Sequence, residues 1–433
     1  MAQIIGTLES ETLIGTAFAD GIVGDLAGDL SGNDRGGNDR LVGLGDSDFL
    51  VGDVRGEIRD DGRGGDDRMS GGDGNDFLHG DASTGMRGNA RGGDDRLFGN
   101  DGADILIGDG GDLHDNARGG DDRLSGGAGD DTLAGDASEF LLDNARGGDD
   151  VLDGGDGHDI LFGETDTLTN GSPRGGDDRL DGGAGDDTLM GDARQLDVSA
   201  QGGDDRLLGG DGTDRLYGDA EFMFSDSRGG DDRLSGGSGA DELNGDATDM
   251  RGSVQGGDDR LSGGEGDDVL MGDAGSMSEN ADGGDDRLFG GDGNDNLYGD
   301  GGLMFDTAQG GDDLLSGGDG NDRLYGDGAV IVEDARGGDD RLFGGAGDDF
   351  MHGGSGSDVI NGGTGDDTAA FDGPVGSYAI ASRGNVLLVT YLPSGDVDTV
   401  TGTEWLAFLD DGDIITLIPV AGDTGQSDWL AFG

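Results

Sequence analysis

The strongest constraint on this chain is a repeat. The tetrapeptide Gly-Gly-Asp/Asn-Asp recurs with its first glycine at 36, 64, 92, 119, 147, 175, 202, 229, 256, 283, 310 and 337, a spacing of 27 or 28 throughout. Low-complexity disorder has composition without register, whereas a solenoid has both. A second glycine loop follows within each unit, as in Gly126-Gly127-Ala128-Gly129-Asp130-Asp131-Thr132-Leu133, which fits the nonapeptide pattern G-G-x-G-x-D-x-U-x.

The remaining 9 or 10 residues of each unit have no nonapeptide pattern, yet they carry one large apolar residue in register: Leu30, Ile58, Met86, Leu113, Leu141, Leu168, Leu196, Met223, Met250, Met277, Met304 and Ile331. Two parallel rows come from the nonapeptides, Leu41, Met69, Leu97, Leu124 onward to Leu342, and Leu50, Leu78, Leu106, Leu133 onward to Met351. Three rows imply three inward-facing strands per coil. Stacking every 18 residues would place the loopless third segment over a glycine loop, whereas a coil of the whole 27–28 residues keeps like loops on like loops. The expectation is an all-β, right-handed parallel β-solenoid of the β-roll type, its coils about 4.8 Å apart, followed by a small β-rich cap.

The ends differ from the middle, as solenoid caps do. Gly6–Ile14 and Gly15–Val23 keep the nonapeptide length and its apolar eighth position without Gly-Gly, so residues 1–33 read as an N-terminal cap with few or no metal sites. The regular solenoid spans 34–343, and nonapeptides without a third segment fill 344–370. Residues 371–433, with runs such as Val386-Leu387-Leu388-Val389-Thr390-Tyr391, read as a closing β-rich cap.

Composition says what the loops are for. The chain of 433 residues holds 102 Gly, 4 Pro and no Cys, and its formal net charge is −70. Apolar residues make up 31%, well below the usual share of about 45–50%, so metal-free order is hard to sustain. Of the acids 85 are Asp and 11 Glu, and all 26 basic residues are Arg. Nucleic acid and anionic membranes repel such a chain; hard cations suit it. Calcium accepts mixed carboxylate and carbonyl shells of 6–8 oxygens, whereas magnesium resists dehydration. About 24 calcium ions, one per stacked loop pair, would bring the net charge to roughly −22.

The expected metal ligands are the sixth-position aspartates of the loops. In the first loops these are Asp39, Asp67, Asp95, Asp122, Asp150, Asp178, Asp205, Asp232, Asp259, Asp286, Asp313 and Asp340. In the second loops they are Asp48, Asp76, Asp104, Asp131, Asp159, Asp187, Asp214, Asp241, Asp268, Asp295, Asp322 and Asp349, with Asp358 and Asp367 beyond. The aspartates of the Gly-Asp-Ala turns, such as Asp136 and Asp219, read as turn or Asx caps and are left out of the ligand set, with a third metal ladder as the alternative. Arg68, Arg96, Arg123 and Arg179 read as a solvated outward row, and His79, His114, His158 and His352 occupy unrelated repeat positions with no zinc or catalytic role.

These loops resemble the calcium-binding repeats of the RTX family over roughly residues 6–370. The tail Asp398-Thr399-Val400-Thr401-Gly402-Thr403-Glu404-Trp405-Leu406-Ala407-Phe408, with Asp410-Asp411-Gly412-Asp413-Ile414 after it, is similar to the family's closing segment. The resemblance implies calcium as cofactor, export by type I secretion machinery, and an uncleaved signal in the last ~60 residues ending Trp429-Leu430-Ala431-Phe432-Gly433. A start of Met-Ala-Gln-Ile-Ile-Gly without basic or apolar signal regions fits that route, as does the lack of an apolar run of membrane-spanning length. No Ser/His/Asp or Cys/His arrangement stands outside the repeats, so a non-enzyme is expected. The expected role is a secreted, calcium-folded structural protein of the cell surface or extracellular matrix; the alternative is a calcium-dependent adhesin or glycan-binding module. Surface glycans and further copies of the chain are the remaining expected partners.

Overall fold

In the computed structural model, which describes residues 2–332, 334–410 and 413–420, the chain falls into two compact units, Met1–Leu234 and Ser235–Gly433. Both are β-solenoids of parallel coils, and the described residues contain no α-helix, only a 3-10 turn at Val375–Ser377.

A coil of the first unit shows why the sequence takes this form. Arg123–Ala128 makes the first side, Thr132–Ala134 the second and Ala137–Asp143 the third, with glycine loops between. Alternation along Arg123–Ala128 turns Leu124 inward and Arg123 outward. The rows stack one unit apart: Leu97 on Leu124 on Leu152, Leu106 on Leu133 on Leu161, Leu113 on Leu141 on Leu168. These side chains are buried, each worth about 1.5–3 kcal/mol. One-unit stacking is thus the geometry of the regular coil; at the start of the unit, within the N-terminal cap, Ala2–Ile5 pairs with Asp20–Val23 at a spacing of 18.

In the second unit Leu261, Leu288, Leu315 and Leu342 continue at 27 residues. The spacing then falls to 18, with Leu342 against Ile360 and Met351 against Ala369. The third sheet of this unit ends at Val330–Ile331, which pairs with Gly301–Met304. The closing segment extends the other two sheets. Val397–Thr401 lies parallel to Val359–Thr364 and carries an antiparallel pair, Tyr378–Arg383 and Val386–Tyr391; Trp405–Asp410 lies parallel to Thr368–Asp372. The end of the expected secretion signal, Trp429-Leu430-Ala431-Phe432-Gly433, lies outside the described residues.

Candidate metal centre

Both expected aspartate rows are continuous within each unit, and both are built by one device. The backbone N–H of each aspartate donates to Oδ1 of its counterpart one coil on. In the first row of the first unit, Asp39, Asp67, Asp95, Asp122, Asp150, Asp178, Asp205 and Asp232 are linked in this order at 2.6–2.7 Å. In the second row, Asp48, Asp76, Asp104, Asp131, Asp159, Asp187 and Asp214 follow at 2.7–2.9 Å. The second unit repeats the pattern: Asp259, Asp286, Asp313, Asp340 and Asp358 form one row, Asp241, Asp268, Asp295, Asp322, Asp349 and Asp367 the other. All are buried. Glu11 and Asp20 head the rows by donating to Asp39 and Asp48, and Asp398 and Glu404 of the closing segment end them by accepting from Asp358 and Asp367.

The second oxygen of each carboxylate is the chemically telling one. No donor of the chain reaches Oδ2 of Asp67, Asp95, Asp122 and Asp150, nor of Asp76, Asp104, Asp131 and Asp159. A buried oxygen without a partner is costly. Each faces a cradle that only glycine leaves open: a Cβ on Gly108 would fall on the Gly135 carbonyl oxygen and Asp122 Oδ2, and one on Gly126 would meet Asp131 Oδ2 and the Gly154 carbonyl oxygen. Carboxylate and carbonyl oxygens, with no nitrogen or sulfur among them, therefore converge at each loop pair, and this donor set suits calcium. In the second loops Gly127 (φ +116°) and Gly129 (φ +130°) supply the left-handed turns that aim the carbonyls.

The third row combines the two readings that the sequence left open. Asp53, Asp81, Asp109, Asp136, Glu164 and Asp192 are wholly buried. One oxygen does act as a turn cap, accepting the N–H of the second glycine in the next first loop: Gly65 on Asp53, Gly93 on Asp81, Gly120 on Asp109 and Gly148 on Asp136, at 2.9–3.1 Å. The other oxygen enters the first-row site. Asp53, Asp67 and Asp81 bring ligand atoms within 4.8 Å of one another, as do Asp109, Asp122 and Asp136, and Asp136, Asp150 and Glu164. Each such first-row carboxylate sits between two third-row ones, and Asp136 serves two groups.

The register explains how the third segment comes to hold ligands. The uninterrupted loop Gly353-Gly354-Ser355-Gly356-Ser357-Asp358 stacks on the coil before it. A Cβ on Gly326 would meet the Gly353 carbonyl oxygen, Ser355 N–H donates to Asp327 at 2.7 Å, Ser357 N–H donates to Asp339 at 2.7 Å and Asp340 N–H donates to Asp358 at 3.0 Å. Residues 328–336 have no counterpart. The third segment is therefore an excursion spliced between the second and third positions of an ordinary glycine loop. Gly354, at the second position of the uninterrupted loop, has φ +100°. The equivalent Asp327 of the spliced loop has no positive φ, which frees that position for a carboxylate.

Electrostatics separate the two kinds of site. Burial, followed by the Asp81 and Asp67 carboxylates, holds Asp53 well above its usual range, and burial does the same to Asp122 and Asp150. In the second row burial pushes Asp76 and Asp159 up to about 6 and Asp131 to about 7. Carboxylates so crowded cannot all ionise without a cation. His79, buried beside Phe77, is held down at about 3 by burial and is neutral. His79 and His352 share one repeat position, pairing after Val51 and after Tyr325 respectively, so the histidines are not all unrelated in register.

A family model described as RTX calcium-binding nonapeptide repeat (4 copies) matches eleven segments of the chain: 61–84, 89–112, 116–138, 144–167, 174–193, 197–221, 227–249, 254–276, 280–302, 307–329 and 334–369. Together they cover more than half of the residues. No curated protein matches the chain. With matched loops of this kind and the buried oxygen rows between them, the ion is calcium, and the chain belongs to the RTX calcium-binding nonapeptide repeat family.

Proposed function

We propose that this protein is a secreted structural component of a cell surface or extracellular matrix, not an enzyme, and that it takes up its fold only when calcium fills the rows. The observation that carries this reading is the run of buried carboxylate oxygens with no donor from the chain. A metal-free solenoid would hold these charges a coil spacing apart in a low-dielectric interior, whereas calcium at millimolar extracellular levels neutralises them. Inside a cell the chain stays open, which suits passage through type I secretion machinery, with the closing segment from Asp398 onward as part of the export signal. The test is secretion of the full chain and of a chain lacking residues 371–433 from a host carrying type I machinery. Export of the full chain alone supports the reading, and equal export of both contradicts it. A second reading, a calcium-dependent adhesin or glycan-binding module, is favoured by the aromatic-walled cavity near the end of the second unit.

A further inference from the structure

The two rows end differently. Along the first row a Cβ on Gly272, Gly299 or Gly326 would meet the carbonyl oxygen of the glycine one coil on, Gly299, Gly326 or Gly353. On Gly353 itself the three nearest atoms all belong to Asp358, and the next layer is the strand Val397–Thr401, which no Gly-Gly loop precedes. The second row is closed: Gly362 lies under the Gly402 carbonyl oxygen, and Glu404 accepts from Asp367. The last first-row position thus has Asp358 and Asp398 without a second Gly-Gly loop, and both residues line the space beside it. Asp358 is 2% exposed and its Oδ1 accepts from Asp340 N–H. Its Oδ2 lies over Gly353.

This position opens into a cavity of about 420 Å³, within the range of small-ligand sites. The cavity is the step left where the third sheet stops at Val330–Ile331 and the 18-residue coils begin. Its wall is aromatic: Tyr378 lies 5.1 Å from Tyr391 and 5.7 Å from Phe371 between ring centroids. Tyr378 spends its hydroxyl on the Asp372 carbonyl oxygen at 2.6 Å. The rim carries Ser394, Asp396 and Asp398, and no Lys or Arg lines the space.

The geometry points to an open calcium position at Asp358 and Asp398 that binds a neutral sugar unit through two adjacent hydroxyls, with the apolar face of the sugar ring against Tyr391. Calcium takes 6–8 oxygens, and where the chain supplies no second loop the balance falls to water or to ligand hydroxyls. The aromatic wall covers the apolar face of a pyranose ring, while the rim carboxylates accept from its other hydroxyls. This rests on the calcium loading argued above and gives the glycan-binding reading a site and a ligand class.

The test is calorimetry of the full, calcium-loaded chain with methyl α-mannoside, methyl α-fucoside and methyl β-galactoside, with circular dichroism on the same samples. At least one glycoside is expected to bind with a Kd on the order of 1 mM. Its 2,3-dideoxy analogue should not bind. Tyr391→Ala should weaken binding tenfold or more while the calcium midpoint of folding stays put, Tyr391→Phe should retain it, and Asp398→Asn should weaken binding tenfold or more in chain that calcium has folded. Asn at 398 can keep the bond from Asp358 N–H, which is 3.0 Å in the native chain. With terbium in place of calcium, the glycoside should lengthen the luminescence lifetime by displacing metal-bound water. A folded protein that binds none of the three glycosides overturns the proposal, as does binding that survives Tyr391→Ala or loss of the diol. A chain that calcium fails to fold overturns the calcium reading itself, and circular dichroism distinguishes that outcome.

Discussion

Asp136→Asn is the substitution that best separates a ligand from a turn cap. The Asn side-chain oxygen can still accept the Gly148 N–H, which reaches Asp136 at 3.1 Å, so the turn survives. What is lost is one negative charge shared by two groups, that with Asp109 and Asp122 and that with Asp150 and Glu164. Removing one partner from a buried charge pair costs about 3–5 kcal/mol, two to four orders of magnitude in an equilibrium constant. The sign reverses without metal, because the same change removes a buried charge that repels its neighbours. Urea unfolding of the full chain at saturating calcium, followed by circular dichroism, measures the first effect, and the acid-induced β signal in chelator measures the second. The exposed Asp121→Asn is the control and should leave both unchanged. Wild-type stability in calcium for Asp136→Asn would refute the ligand assignment, and destabilisation equal in calcium and in chelator would mean that the residue is only a cap.

Other consequences are as direct. Gly108→Ala should raise the calcium midpoint sharply in a titration followed by circular dichroism, since its Cβ would fall on the Gly135 carbonyl oxygen and Asp122 Oδ2; Gly28→Ala, with nothing within 4 Å of its Cβ, should not. Leu124→Ala should destabilise the calcium-loaded chain by about 2–5 kcal/mol in urea unfolding, because Leu124 is buried between Leu97 and Leu152. Burial raises Asp48 and Asp76 from 3.8 to about 6 and Asp131 to about 7. Their folded values lie above the unfolded one, so the stability they add to the metal-free fold is complete below about pH 4 and lost as pH rises through 6–7. Circular dichroism in chelator from pH 3 to 8 should therefore show β-structure at the acid end only, and the calcium midpoint should rise as pH falls below about 6.

Much of this molecule is legible in the sequence because a solenoid writes its contacts as a period. Leu97, Leu124 and Leu152 fall one unit apart, and so do the partners that stack. The aspartate rows are legible for the same reason. The third row was harder, because Gly135-Asp136-Ala137 taken alone is a competent turn and its cap bond to Gly148 is real. Two signals point the other way. Glu164 stands in that row, and a longer side chain preserves a carboxylate better than it preserves an Asx turn. Aligning Gly353-Gly354-Ser355-Gly356 with Gly326-Asp327 and Gly337-Gly338 exposes the splice point, but only if a loop is allowed to be split across nine residues. The aromatic-walled cavity was out of reach, since it arises where a 27-residue coil meets an 18-residue one and joins Ile331 to Tyr391 across 60 positions of sequence.

The central claim is that calcium in these rows is what folds the chain, and a calcium titration of chelator-treated protein at neutral pH, followed by far-UV circular dichroism with binding stoichiometry by calorimetry, tests it most directly. The account predicts a largely unfolded chain without metal and a cooperative gain of β-structure at about 10⁻⁴–10⁻³ M calcium with on the order of 24 ions bound. A full β-spectrum persisting in excess chelator at neutral pH would contradict it.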